Sequence, residues 1–291
     1  MMNTLALPYL TDSAIQHFIT EALREDIGTG DVSALSSVPE AKRSSAELKI
    51  KDNGILAGME LARKIFMTFD PGLSFEPILQ DGDPIENGQI AFRVSGSARS
   101  ILSTERLVLN CMQRMSGIAT KTRHLQNLIS HTKAKVLDTR KTNPNSRIIE
   151  KWAVAIGGGS NHRFALYDMV MLKDNHNDYA GGIRPALEAC RKYLKENALN
   201  LKVEVETRNL DEVKEALDSG LADIIMLDNF SLDQMREAVN FVDGKVPLEA
   251  SGNINESTIV AVAETGVDYI SVGALTHSYK SLDLSLKAVS N

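Results

Sequence analysis

The chain is predicted to be an α/β protein in two parts: an α+β segment, then an open, incomplete (β/α) barrel. Three observations carry this expectation. From residue 135 onward, short apolar runs alternate with helical patterns, as in a parallel sheet covered by helices. The last four apolar runs recur about every twenty residues, the spacing of a barrel. Each run ends, on its C-terminal side, in a group able to meet a ligand. Loops at that rim of a parallel barrel converge on one mouth. Only six units are convincing, so the barrel is expected to be incomplete, with an open doubly wound sheet as the alternative.

The first part opens with an amphipathic helix over 13–24, followed by the loop Glu25-Asp26-Ile27-Gly28-Thr29-Gly30-Asp31. Strand-like pieces at 46–50 and 54–57 precede a helical stretch over 60–69. Asp81-Gly82-Asp83-Pro84 and Glu86-Asn87-Gly88 are turn chemistry between strands. A helix over 100–115 is expected to stop at Ser116-Gly117, where glycine suits a C-terminal cap. Strands in the second part are expected at 135–138, 169–173, 202–206, 223–228, 247–251 and 269–273. Helices are expected over 147–156, 184–196, 210–219, 232–241 and 256–265.

Of 291 residues, 43% are hydrophobic and 24% charged, an ordinary globular mixture. No apolar run approaches the roughly 18 residues that span a membrane, and the first 16 residues lack signal-peptide features. A cytoplasmic protein without a membrane partner is expected. Cys111 and Cys190 have no metal or disulfide spacing. A formal charge of -6, without a broad basic face, argues against nucleic acid.

Against that acidic background, residues 138–176 hold six Lys/Arg (Arg140, Lys141, Arg147, Lys151, Arg163 and Lys173) and four acids. Clustered cations repel unless an anion joins them, so the expected ligand is a small carboxylate- or phosphate-bearing polyanion. Glu206 and Asp228-Asn229 are acids at strand ends. They suit sugar hydroxyls, Mg²⁺ or a developing positive charge; an ion-pair network with Lys141 or Lys173 is the alternative. Glu204, two residues deeper on the same face, is expected to partner a barrel lysine. Ser251-Gly252-Asn253 and Ser271-Val272-Gly273 are glycine-bearing turns where barrels often cradle phosphate. Gly157-Gly158-Gly159 is expected to end a helix and let backbone pass close to ligand. His162, beside Arg163, is expected to be neutral and hydrogen-bonded.

Several blocks resemble the quinolinate phosphoribosyltransferase family. They are Asp138-Thr139-Arg140-Lys141-Thr142, Glu150-Lys151 through Gly157-Gly158-Gly159, Asn161-His162-Arg163 and Lys173-Asp174-Asn175-His176. Val203-Glu204-Val205-Glu206, Leu227-Asp228-Asn229, Glu249-Ala250-Ser251-Gly252-Asn253 and Ser271-Val272-Gly273 follow in the same order, and Glu25–Asp31 and Glu105-Arg106 fit the family's N-terminal domain. The resemblance implies an N-terminal α/β sandwich (1–116), an open-faced TIM-like α/β barrel (117–275) and a tail (276–291) packing back on the sandwich. It implies phosphoribosyl transfer from phosphoribosyl pyrophosphate to quinolinate, with Mg²⁺, in a homodimer or an assembly of dimers.

Carried over by position, Arg140, His162, Arg163 and Lys173 would hold quinolinate, with Arg106 reaching in from a neighbouring subunit. Lys141, Glu206 and Asp228 would be catalytic, the two acids also holding the ribose hydroxyls and Mg²⁺. Lys141, Lys173, Glu206, Asp228, Ser251, Gly252, Asn253 and Gly273 would bind the sugar donor. One departure is Asn143-Pro144-Asn145-Ser146-Arg147, where the family usually has a Thr/Leu-Pro-Gly-Leu-Arg-like stretch; Asn145 is able to take the left-handed conformation of a glycine. Rival readings are a nicotinate-using transferase or molybdenum-transport paralogue, a lyase with a Schiff-base lysine, and a non-catalytic sensor.

Overall fold

The computed structural model describes residues 7–289. Residues 1–6, where the segment read for a leader begins, and 290–291, the end of the expected tail, lie outside the described residues. The chain forms two compact units. The first takes in the chain up to Arg123, Thr142–Gly158 and everything from Leu275; the second takes in His124–Lys141 and Gly159–Ala274.

In the first unit, α1 (Asp12–Ile27) starts at Thr11, whose hydroxyl accepts from the Ala14 N–H. The carboxylate of Asp31 caps α2 (Val32–Ser37) in the same way. Strand β1 (Arg43–Ile50) is followed by β2 (Gly54–Ile55), α3 (Met59–Phe69), β3 (Ser74–Pro77), β4 (Pro84–Ile85) and β5 (Ile90–Ser97). An antiparallel sheet runs in the order C-terminal strand (Leu284–Ala288), β1, β5, β3. The alternate burial of Ala46, Leu48 and Ile50 on β1 is the period-two pattern of a strand with one face packed. Its core includes Phe66 of α3, Phe75 of β3 and Phe92 of β5, with ring centroids 4.7–6.1 Å apart.

Helix α4 (Ala98–Leu128) runs straight through Gly117 instead of stopping there. The glycine is needed for close packing: a Cβ at Gly117 would overlap the Lys280 carbonyl. Helix α5 (Arg147–Ile156) is wholly buried from Ile149 to its end and packs in the first unit. At its end, a Cβ on Gly157 would lie 2.6 Å from the Ala119 carbonyl of α4. The Gly157 carbonyl accepts from Arg123 Nε at 2.9 Å. The helix ends at Gly157 as expected, and the close approach there is to α4.

The second unit holds β6 (Lys135–Leu137), β7 (Val170–Leu172), α6 (Asp174–Ala180), α7 (Ile183–Glu196), β8 (Val203–Thr207) and α8 (Leu210–Ser219). It continues with β9 (Ile224–Asp228), α9 (Leu232–Val242), β10 (Leu248–Ser251), α10 (Ile259–Ala263) and β11 (Tyr269–Ser271). Its six strands are parallel in the order β6-β11-β10-β9-β8-β7. A doubly wound sheet reverses its order at a switch point. Here the order is cyclic, with the first strand paired to the last, so the sheet is a barrel left open between β6 and β7. At that gap Leu137 makes a lone parallel bridge to Ser160.

Substituting Gly117→Ala should force the Lys280 segment away from α4 and cost roughly 1–3 kcal/mol. Urea denaturation of the variant beside the wild type checks this. Unchanged stability would mean that the approach is not tight.

Candidate active site

Parallel strands bring all their C-terminal ends to one edge of the second unit, so the polar residues expected at strand ends share a rim. Asp138, which follows β6, is fully buried and belongs to the framework. Its carboxylate accepts from Asn161 Nδ2 at 2.6 Å and from the His162 N–H at 2.9 Å. That pins the 161–163 segment beside β6.

His162 is fixed on both sides of its ring. Nδ1 accepts from the Arg163 N–H at 2.7 Å, and Nε2 lies 2.7 Å from Glu204 Oε2. Glu204 on β8 therefore partners a histidine, where a lysine was expected. Glu249 of β10, fully buried, sits 3.5 Å from the same Nε2. Burial, and then the Glu204 charge, push the Glu249 carboxyl well above the usual glutamate range.

Arg163 is half-buried beside Arg140. Burial first, then the Arg140 charge, weaken its grip on its proton, while Glu204 and Asp168 act the other way. Among the described residues, the buried Nε of Arg140 has no hydrogen-bond partner. Two guanidinium groups, one bearing an unsatisfied buried donor, form a cationic pair of the kind that suits planar anionic groups.

A second pole lies on β8 and β9. Glu206, at the end of β8, is pushed above the usual range by burial and then by the Asp228 charge. Lys173, 3.9 Å away, pulls it back. Asp228 accepts from Asn229 Nδ2 at 2.8 Å, and Asn253 Nδ2 reaches Asn229 Oδ1 at 3.3 Å. Asn229 and Asn253 are both left-handed, with φ of 57° and 53°. Gly252 (φ 102°) lies so close to Asn229 that a Cβ would overlap its side-chain oxygen. The Ser251-Gly252-Asn253 turn is thus built against the acid-bearing strand end. Gly273 follows β11 on the same edge.

Lys141 is exposed after β6, its N–H bonded to Thr139 Oγ1 at 3.0 Å. Arg106 is exposed on α4 in the first unit, one turn from the exposed Leu102. Asn145 has φ 61°, the left-handed backbone expected of it. Its loop is tied down within the first unit, where buried Glu150 accepts from the Asn143 N–H and pairs with Arg114. The Arg114 guanidinium lies over the Tyr279 ring, 5.4 Å from its centroid, so it holds this loop. Sequence reasoning passed over Glu249. Its period-two relation to Ser251 on an inward strand face was the available signal.

The sequence pattern of the quinolinate phosphoribosyl transferase C-terminal domain matches residues 118–287, and that of the N-terminal domain matches 31–116. The chain belongs to the quinolinate phosphoribosyltransferase family. It is 46% identical over 281 residues to the decarboxylating quinolinate phosphoribosyltransferase 2b, mitochondrial, of Nicotiana tabacum, covering 91% of this chain and 80% of that one. It is 41% identical over 285 residues to a probable carboxylating nicotinate-nucleotide pyrophosphorylase of Bacillus subtilis, covering 98% and 94%. The crystal structure of NadC from Streptococcus pyogenes superposes with a TM-score of 0.90 at 40% identity, covering 97% and 99%. Within this family fold, no helix of the described residues is long and apolar enough to cross a membrane.

A raised carboxyl holds its proton more tightly in the folded than in the unfolded chain, so it costs stability as pH climbs from the ordinary glutamate value towards the raised one. The melting temperature of the wild type should therefore fall, as pH rises above the ordinary glutamate range, more steeply than that of Glu249→Gln. Thermal melts of both proteins over that rise in pH check it. Parallel curves would show that Glu249 is not held neutral.

Proposed function

We propose that the chain transfers the phosphoribosyl group of phosphoribosyl pyrophosphate to quinolinate, releasing pyrophosphate and carbon dioxide and forming nicotinate mononucleotide. The observation that carries this reading is the paired, incompletely satisfied guanidinium grip of Arg140 and Arg163. A pyridine dicarboxylate supplies the two negative charges that such a pair lacks. Family membership supports the same reaction.

In this reading Arg140 and Arg163 hold the quinolinate carboxylates, with His162 at their side, and Lys141 and Lys173 face the donor's phosphates. Ser251, Gly252, Asn253 and Gly273 receive the 5′-phosphate. The ring nitrogen attacks the ribose C1′ while the bond from C1′ to the pyrophosphate oxygen breaks. Positive charge grows on the sugar, and Glu206 and Asp228 stabilise it and hold the ribose hydroxyls. The N-ribosylated ring is cationic, so its 2-carboxylate leaves as carbon dioxide and the electron pair left on C2 takes up a proton.

Glu206 and Asp228, neighbouring carboxylates of which Asp228 raises the cost of charging Glu206, also suit a hard divalent cation such as Mg²⁺. Such an ion supplies charge neutralisation for the departing pyrophosphate. A cytoplasmic homodimer completes the proposal, with Arg106 of one subunit reaching the partner's dicarboxylate grip. Its exposure beside Leu102 suits an interface.

Purified protein with phosphoribosyl pyrophosphate and Mg²⁺, offered quinolinate and nicotinate in parallel, should yield mononucleotide from quinolinate only, with one carbon dioxide per turnover. Product from nicotinate alone would overturn the substrate assignment. Glu206→Ala and Asp228→Ala should each lower turnover on the order of 10²-fold or more. Near-normal turnover in either variant would remove that residue from the reaction.

A further inference from the structure

Both nitrogens of the His162 ring are already engaged by the protein. The Arg163 N–H points at Nδ1 from 2.7 Å. Only a lone pair meets a donor, so Nδ1 carries no proton. The ring proton is then on Nε2 and is donated to Glu204 Oε2 at 2.7 Å. The main-chain N–H of His162 is held by Asp138 at 2.9 Å, and its side chain is only 7% exposed.

We propose that His162 is a positioning residue whose ring, locked as the Nε2–H tautomer between the Arg163 amide and Glu204, aims the Arg163 guanidinium and makes no nitrogen contact with the substrate dicarboxylate. This deepens the proposed function and rests on Arg163 being one of the carboxylate grips.

Glu249 completes the arrangement. The Ser271 hydroxyl, directed at the Ala250 carbonyl at 3.4 Å, is a weak donor beside Glu249. Among the described residues, the Glu249 oxygens and Glu204 Oε1 have no well-formed hydrogen bond. Three buried acceptors side by side are costly, and one proton on Glu249 relieves the conflict. Burial and the Glu204 charge favour that proton. Glu204 then accepts from His162 Nε2 and offsets the Arg163 charge.

A bound cation is the competing way to satisfy these atoms, since ligand atoms of His162, Glu204 and Glu249 lie within 4.8 Å of one another. The histidine argues against it. A ring that ligates through Nε2 keeps its proton on Nδ1 and donates it, but Nδ1 here faces a donor.

Nitrogen-15 spectra of histidine-labelled full-length protein, with the other histidines replaced to assign the signal, read the tautomer directly. The expected spectrum is a neutral Nε2–H ring at neutral pH, unchanged on adding quinolinate. An Nδ1–H ring, or an Nε2 signal that moves on binding, would overturn the proposal. Steady-state kinetics supply the second readout. Glu204→Leu, which removes the acceptor, should raise the KM for quinolinate about tenfold to a hundredfold, the cost of a displaced group. The KM for phosphoribosyl pyrophosphate should move less than about twofold. Glu204→Gln, which keeps an acceptor, should rescue most of the loss. Equal damage to both KM values, or no rescue by glutamine, would sink the idea. So would a stoichiometric metal ion in the purified protein that Glu249→Gln releases. Absence of turnover with quinolinate would overturn the proposed function, while the tautomer measured in the free protein would still decide the positioning role.

Discussion

Three carboxyl groups, Asp138, Glu204 and Glu249, are fully buried beneath the rim of the open barrel, and the 161–163 segment hangs from them. Buried carboxyls are tolerated when donors meet them or a proton neutralises them. Each follows a different route here. Asp138 takes two donors from the segment itself, Glu204 takes the ring N–H of His162, and Glu249 is pushed towards its neutral form. The outcome is a short, irregular stretch of chain held nearly as firmly as a strand, with Arg163 at its end. Precision in a binding arginine, whose long side chain has many rotamers, has to be supplied by such neighbours.

The same firmness explains how two guanidinium groups are kept side by side. In the free protein Arg140 and Arg163 oppose one another, and burial deprives them of water. In the proposed function a dianion would relieve that unfavourable state, and part of its binding free energy would reflect removal of a repulsion built into the fold. Glu204 moderates this repulsion from below without occupying the grip. An acid placed directly between the arginines would have stabilised the empty site and competed with the ligand.

Much of this organisation was legible in the sequence, and the part that was not has a consistent physical cause. Alternating apolar runs located all six barrel strands to within two residues at each end, because continuous burial on both faces leaves a strong local pattern. The strand-end positions of Glu206 and Asp228 were legible because each closes a run that reads as a strand. Gly157 ends its helix as expected, whereas Gly117 was misread because a glycine placed for helix packing looks, in one dimension, like a cap. Glu204 and Glu249 were misjudged for a related reason. Their meaning lies in a pairing across β8 and β10, with β9 between them in the sheet, and a strand pattern records which face a residue takes but not what stands opposite.

Sheet order also separates the two poles of the site. Arg140 follows β6 at one edge of the sheet and Glu206 and Asp228 end β8 and β9 towards the other, while the 161–163 segment reaches Glu204 of β8 through His162. Strands β10 and β11 lie between and contribute glycine-bearing turns that add no formal charge at Ser251-Gly252-Asn253 or Gly273. In the proposed reaction an anionic nucleophile at the first pole would meet carboxylates suited to the positive charge of a sugar losing its leaving group. Reversing the poles would set carboxylates against the substrate's carboxylates and guanidinium groups against the developing cation. For two reactants of opposite electrostatic demand, an open six-stranded barrel provides separate strand ends on one rim, and the proposed chemistry requires that they differ in sign.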